Sequence, residues 1–291
     1  MENVQLNSTS AYANQCIVLA TKHAKSLAIA PVFWNKLGIS MIEYSIDTDK
    51  FGTFTGEIER IGTPLECAQK KCQTALKKLK GKVDLILASE GSFGPHPLLP
   101  FIPCSSELLY FIDNIHGFHL HVNNTTEKTN FASTIVESEE GMYQFAQKAL
   151  FPSHALILKP NDPKNDLIFK GIDNEEDLIY AFELCLKNSS DKKVSIETDM
   201  RANFNPTRMN TISELAAILA DRLNQLCPKC NTPGWGKDKV ESGLPCVSCG
   251  SKTELTRFEI FCCPKCKYQE QVTPKNSLRF ASPEFCYHCN P

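Results

Sequence analysis

The sequence predicts an α/β protein: a layered sheet with flanking helices, followed by a small C-terminal double zinc-ribbon-like module. Three observations predict it. Short apolar runs of strand length alternate with amphipathic helical patterns up to about residue 226. Beyond that point aliphatic residues thin out and Cys, Pro, Gly and Lys take over. Four Cys-x-x-Cys pairs fall in this last stretch. At 291 residues the chain can bury one medium core and carry an appendage. The expected division is 1–222, an α/β candidate catalytic domain, and 223–291, a tandem four-cysteine zinc-binding module.

The elements follow in order. Residues 16–20 are a continuous apolar run and predict a buried strand. After the loop Thr21–Lys25, a helical pattern runs from Ser26 to Leu37, and residues 39–46 read as a second strand. The segment 47–52 is a turn, with a short extended piece from Phe54 to Arg60. Thr63-Pro64-Leu65-Glu66 then announces a helix, with an N-cap hydroxyl, proline at the first helical position and glutamate closing a capping box. Leu65, Ala68, Cys72, Ala75, Leu76 and Leu79 form its apolar stripe. Strand 84–88 follows and ends in a Gly- and Pro-rich turn. Further on, helices are predicted over 139–150 and, capped by Asn174, over 175–186, with strands at 154–158 and 194–198. Asn205-Pro206 opens the longest helix, whose apolar residues run from Met209 to Leu226 at three-four spacing.

The cysteine pairs are Cys227/Cys230, Cys246/Cys249, Cys263/Cys266 and Cys286/Cys289. A Cys-x-x-Cys turn aims two thiolates at one ion, and two turns complete the tetrahedral shell of a structural Zn²⁺. Two structural zinc ions are therefore expected. The intervals suit consecutive pairing, with Cys227, Cys230, Cys246 and Cys249 on one ion and Cys263, Cys266, Cys286 and Cys289 on the other. A cross-braced arrangement is compatible with the same spacing. Eight thiolates leave no open coordination position, so these sites staple a small core and do not catalyse. Cys262 reads as a packed thiol, and Cys16, Cys67, Cys72, Cys104 and Cys185 as small buried hydrophobes.

Bulk properties narrow the function. The formal net charge of −2 argues against whole-surface attraction to nucleic acid or anionic lipid. No run approaches the length needed to span a bilayer, and residues 1–14 are polar, so a cytoplasmic protein without a membrane partner is expected. Residues 221–291 hold ten basic and seven acidic side chains, and two zinc–tetrathiolate centres tip this slight excess back to negative, which is no broad phosphate-binding footprint.

Three polar segments follow predicted strands, where α/β sheets gather ligands. Thr21-Lys22-His23-Ala24-Lys25 offers a hydroxyl, an imidazole and two ammonium groups at a strand-to-helix turn, which suits phosphate with help from helix N-terminal amides. Ser89-Glu90-Gly91-Ser92-Phe93-Gly94-Pro95-His96 puts a carboxylate after a buried strand, beside glycines that allow close backbone approach to a ligand. In the third segment Glu197 and Asp199 share one strand face and call for a cation, either Arg201 or a divalent metal. Arg208 stands in the first helical turn, where a cation opposes the dipole, and so calls for an anion there. Glu57 and Glu59, between Gly52 and Arg60, suggest a ligand-covering loop. His116, His119 and His121 lack a fourth metal partner and read as structural or surface residues.

Ala20–Lys25, Phe51–Arg60, Ser89–His96, Glu197–Ala202, Asn205–Met209 and the Cys-x-x-Cys series together resemble the bacterial family catalogued as domain of unknown function 6671. That resemblance spans nearly the whole chain and brings no activity with it. Residues 15–97 also resemble, more distantly, the inosine/xanthosine triphosphate pyrophosphatases. This second resemblance implies phosphate binding in the first loop and Mg²⁺ binding by acids, with Lys25, Glu66 and Glu90 at the matching positions. His23 stands where an Asn is usual.

The expectation is a metal-dependent hydrolase acting on a nucleotide or another phosphorylated small molecule. Lys22, Lys25, Arg201 and Arg208 would bind phosphate. Glu90, Glu197 and Asp199 would hold Mg²⁺ or Mn²⁺, and Glu90, His23 and His96 would carry the proton chemistry. The alternative is a non-enzymatic protein that engages nucleic acid or protein through its zinc ribbons, whose knuckles lie close to aromatic residues.

Overall fold

The computed structural model describes residues 10–46, 61–96, 99–162, 164–275 and 278–291. The acid pair Glu57/Glu59 and its glycines lie outside these residues. The chain divides into two compact units, 1–112 with 121–219, and 113–120 with 220–291.

The first unit holds two sheets. In the five-stranded one, β1 (Cys16–Thr21) pairs in parallel with β2 (Ser40–Ser45) and with β3 (Leu85–Pro95), and the order is β2-β1-β3-β4-β5. Helices α1 (Ser26–Leu37) and α2 (Pro64–Leu79) make the crossovers that parallel pairing requires. The α2 capping box forms as its sequence predicts: Thr63 accepts from the Glu66 amide, and Glu66 accepts from the Thr63 amide. Its stripe packs Ala68, Cys72 and Ala75 against Val18, Ala20, Ile86 and Ala88.

Two features depart from expectation. Ser89–Pro95 is the second half of the 11-residue β3, not a turn. The antiparallel partner that keeps it extended is β4 (Pro103–Asp113), and β5 (Phe118–Thr126) follows. His96 closes the β3–β4 connection, its amide donating to Ile102 and its Nδ1 accepting from Leu99. Cys16 is exposed, because it heads its strand before the buried run begins, whereas Cys67, Cys72, Cys104 and Cys185 are buried as expected.

The second sheet has the order β6-β9-β7-β8, from β6 (Ser133–Val136), β7 (Leu156–Pro160), β8 (Phe169–Ile172) and β9 (Val194–Thr198), and every pairing is antiparallel. Helices α3 (Glu139–Lys148) and α4 (Glu175–Asn188) bury Met142, Phe145, Leu178 and Phe182 against Leu156, Leu158 and Ile196. Asn174 caps α4 through the Asp177 amide. Asn205 caps α5 (Pro206–Asn224) through the Arg208 amide.

In the second unit, β10 (Gly236–Ser242), β11 (Thr256–Cys262) and β12 (Gln269–Val272) form an antiparallel sheet. No helix among the described residues is long and apolar enough to cross a membrane.

Candidate functional site

Strand alternation decides what the β3 segment can do. Ser89 and Gly91 point to one face and Glu90 to the other. On the first face, Lys25 reaches over from the start of α1, and its Nζ donates to Ser89 O at 3.2 Å and Ser89 Oγ at 3.1 Å. On the same face Gly91 has no side chain, and a Cβ there would collide with the Arg208 guanidinium and the Glu107 carboxylate. Arg208 Nε donates to Glu107 Oε1 at 2.6 Å, Nη2 to Oε2 at 3.3 Å, and Nη1 to the Met200 carbonyl. The guanidinium also lies 5.0 Å from the centroid of the Phe93 ring. Lys25, Ser89, Glu107 and Arg208 are all buried.

The three polar segments of the sequence therefore meet through Lys25, Ser89, Gly91 and Arg208, beyond the carboxyl end of β1 and at the middle of β3, where the parallel pairing of the two strands ends. Arg208 is paired with Glu107, whereas among the described residues Lys25 has only neutral hydrogen-bond partners. Burial, with the neighbouring Arg208 charge next in importance, lowers the Lys25 pKa to about 7. Ser105, two residues before Glu107 on β4, is buried, and its Oγ has no hydrogen-bond partner among the described residues.

Glu90 faces the other way. Its carboxylate meets Lys71 of α2 at 2.5 Å, and both groups are buried. Glu197 and Asp199 do sit next to cations, each its own. Lys159 stands 3.6 Å from Glu197, whose pKa burial raises despite that charge. Asp199 is fully buried and accepts from the Gly171 amide and from the Arg201 amide, Nε and Nη2. Arg201 stacks on Phe204 at 4.4 Å, and both crowd Gly171, where φ is +72° and a Cβ would meet the Phe204 ring. Glu90, Glu197 and Asp199 thus do not converge on one metal point; among the described residues the only groups of three or more ligands that do are cysteines. The reason is local: each acid is already paired with a cation of its own, Lys71, Lys159 or Arg201.

Two further expectations change. The first-turn anion that Arg208 called for is Glu107, supplied by β4. The amide at the start of α1 is also taken from within the chain, since Glu43 accepts from Ser26 N at 3.3 Å and from Ser26 Oγ. Lys22 is exposed and His23 half-buried in the turn after β1. His96 lines a cavity of about 490 Å³ with Thr125, Thr126, Glu127 and Lys128. Sequence reasoning missed Lys71 and Glu107. Both carried a signal: Lys71 lies between Ala68 and Ala75 on the buried α2 stripe, and Glu107 lies in the alternation Ser105, Leu109, Phe111.

The eight knuckle cysteines form two tetrads, Cys227/Cys230/Cys263/Cys266 and Cys246/Cys249/Cys286/Cys289. Consecutive pairing is thereby corrected to the cross-braced arrangement. Strand β10 separates the first and second knuckles; its seven residues span roughly 23 Å, too far for one ion. Pairing of Gly236 with Cys262 in the β10–β11 ladder instead brings the first knuckle beside the third. Sulfur separations of 3.7 Å (Cys227–Cys266), 3.6 Å (Cys230–Cys263), 3.9 Å (Cys246–Cys289) and 3.6 Å (Cys249–Cys286) match the edges of a tetrahedron built on Zn–S bonds of about 2.3 Å. Thr232 holds the Cys230 thiol down to about 6, while burial pushes Cys263 up to about 12. A divalent ion replaces the protons that such a cluster retains. Two structural Zn²⁺ sites result.

The chain matches no curated protein. No match supports the resemblance of residues 15–97 to the inosine/xanthosine triphosphate pyrophosphatases. A family model described as Domain of unknown function (DUF6671) matches residues 71–291, which include Lys71, Glu90, Glu107, Arg208 and all eight zinc cysteines; Lys25 precedes the match. Covering most of the chain, that match makes it a member of the DUF6671 family.

Proposed function

We propose that the first unit is a hydrolase acting on a nucleotide or another phosphorylated small molecule, with the phosphate held beyond the carboxyl end of β1, beside the middle of β3. The observation that carries this reading is the buried, cation-rich meeting of Lys25, Ser89, Glu107 and Arg208. A buried ammonium with neutral partners is costly, and a ligand anion offsets that cost. Lys25 would donate to a phosphate oxygen as an ammonium group. Arg208, fixed by Glu107, would supply positive potential from behind. Lys22 would meet outlying phosphates, Arg201 more remotely, and His23 would exchange the proton of the attacking water or the leaving group. His96, in its own cavity, is the weaker candidate for that role. Mg²⁺ or Mn²⁺, where used, would activate water and polarise the phosphoryl oxygen. Such ions are commonly held by one or two carboxylates plus substrate phosphates; Glu90, buried against Lys71 on the face of β3 away from Lys25, would have to leave that ion pair to serve as one of them.

The test is release of phosphate or pyrophosphate from a panel of nucleoside triphosphates, inosine and xanthosine forms included, with Mg²⁺ or Mn²⁺. Turnover by wild type that is lost in Glu90→Gln is expected. Undiminished turnover in that variant would remove Glu90 from the site.

A further inference from the structure

We propose that the face of the second unit around the first zinc site binds single-stranded nucleic acid, with Trp235 and Tyr268 as a stacking platform and Lys229, Lys265 and Lys267 as phosphate partners. The two zinc sites differ in their knuckles. Both knuckles of the first read Cys-Pro-Lys-Cys, at 227–230 and 263–266, and Lys267 follows directly. The knuckles of the second read Cys-Val-Ser-Cys and Cys-Tyr-His-Cys, with neither lysine nor arginine. All three lysines are exposed. They offset the two negative charges of a zinc–tetrathiolate centre and that of Glu270, which stands across from Phe261, so the first centre's charge is neutralised by its own knuckles, which the second centre's knuckles do not do.

Aromatic rings line the same end. Trp235 and Tyr268 stack with centroids 5.6 Å apart and planes 20° apart, and Trp235 also meets Phe261 at 6.1 Å. Lys229 Nζ lies 5.9 Å from the Tyr268 centroid. Phe261 sits on the central strand between Lys237 of β10 and Glu270 of β12. Lys237 holds Glu259 at 2.7 Å, which neutralises one of the acids on this face. Tyr268 stays 36 % exposed, so part of its ring surface remains open to a base.

The combination selects the ligand. Lysines alone would suit any polyanion. Exposed rings alone would suit a protein surface. Rings beside ammonium groups suit a strand whose bases are unstacked and whose phosphates run alongside, whereas a duplex hides its base faces.

The experiment uses the zinc-loaded full chain and fluorescence anisotropy with a labelled oligouridylate of roughly 12 nucleotides. Binding at roughly 50 mM salt is expected to weaken with added salt, at about 0.7 in logarithmic slope per phosphate contact. The double variant Lys229→Gln/Lys265→Gln is expected to reduce that slope by about 1.4. Tyr268→Ala is expected to weaken binding at least about fivefold. Zinc content of two ions per chain verifies that each variant is folded. A duplex of equal length, or heparin, is expected to compete far less well than unlabelled strand. The proposal is overturned by no binding at low salt, by zinc-replete variants that bind like wild type, or by a duplex or heparin that competes equally.

Discussion

Replacing Lys25 by methionine is expected to make the protein more stable at neutral pH. The unfolded chain holds this lysine near its ordinary value of 10.5, and the folded chain holds it at about 7. Between those values the unfolded state binds the extra proton, so wild-type stability rises with pH across the window and is lost as pH falls toward 7. Integrated to pH 7, the penalty is roughly 4 kcal/mol, and at pH 9 roughly 2 kcal/mol. Methionine keeps the volume and removes the penalty, but it leaves the Ser89 hydroxyl and carbonyl without their donor, at about 2 kcal/mol together. Lys25→Met is therefore expected to gain about 2 kcal/mol at pH 7 and nearly nothing at pH 9. Urea denaturation of both proteins at the two pH values, with zinc present, reads this directly. A variant less stable than wild type at both values, by the same amount, would refute the reasoning.

Other outcomes follow from the same geometry. Glu107→Gln strands the buried Arg208 charge and should cost about 3–5 kcal/mol, while adding Arg208→Met should recover much of it in a double-mutant cycle; an additive result would mean the pair is not coupled. Gly91→Ala forces a methyl group into Arg208 and Glu107 and should lower stability by about 1–3 kcal/mol in thermal melts. His154 is buried, which lowers its pKa, and its Nε2 accepts from the Thr207 amide, so the neutral ring is the stabilising form. Stability should therefore fall as pH drops below about 6.5 toward the folded-state value, and His154→Gln should flatten that part of the profile. Cross-bracing makes a stoichiometric prediction. Cys230→Ser with Cys263→Ser disables one site and leaves one zinc per chain, whereas Cys230→Ser with Cys249→Ser disables both; equal zinc content in the two double variants would contradict the tetrads.

What could be read in the sequence was what local chemistry determines. The caps at Thr63, Asn174 and Asn205, the α2 stripe and the identities of the eight zinc cysteines all rest on neighbours a few residues apart. What could not be read was pairing across distance. The β3–β4 hairpin is not legible locally because glycines and proline in Ser89–Pro95 mimic a turn, and only β4 holds the segment extended. The zinc partners depend on β10 pairing with β11, which interval counting ignores. Arg208 finds Glu107 101 residues away, so its need for an anion was legible and the supplier was not. The direction of Glu90 depends on strand register, and that register turns it toward Lys71 and away from Lys25.

The central claim is that Lys25 stands at a phosphate site in a hydrolase. The most direct measurement compares phosphate and pyrophosphate release by wild type and Lys25→Met over the nucleoside triphosphate panel, with Mg²⁺ or Mn²⁺. Metal-dependent release by wild type, abolished in a variant that is equally or more stable, is the predicted result. Release that is absent from wild type on every substrate, or undiminished in Lys25→Met, would contradict it.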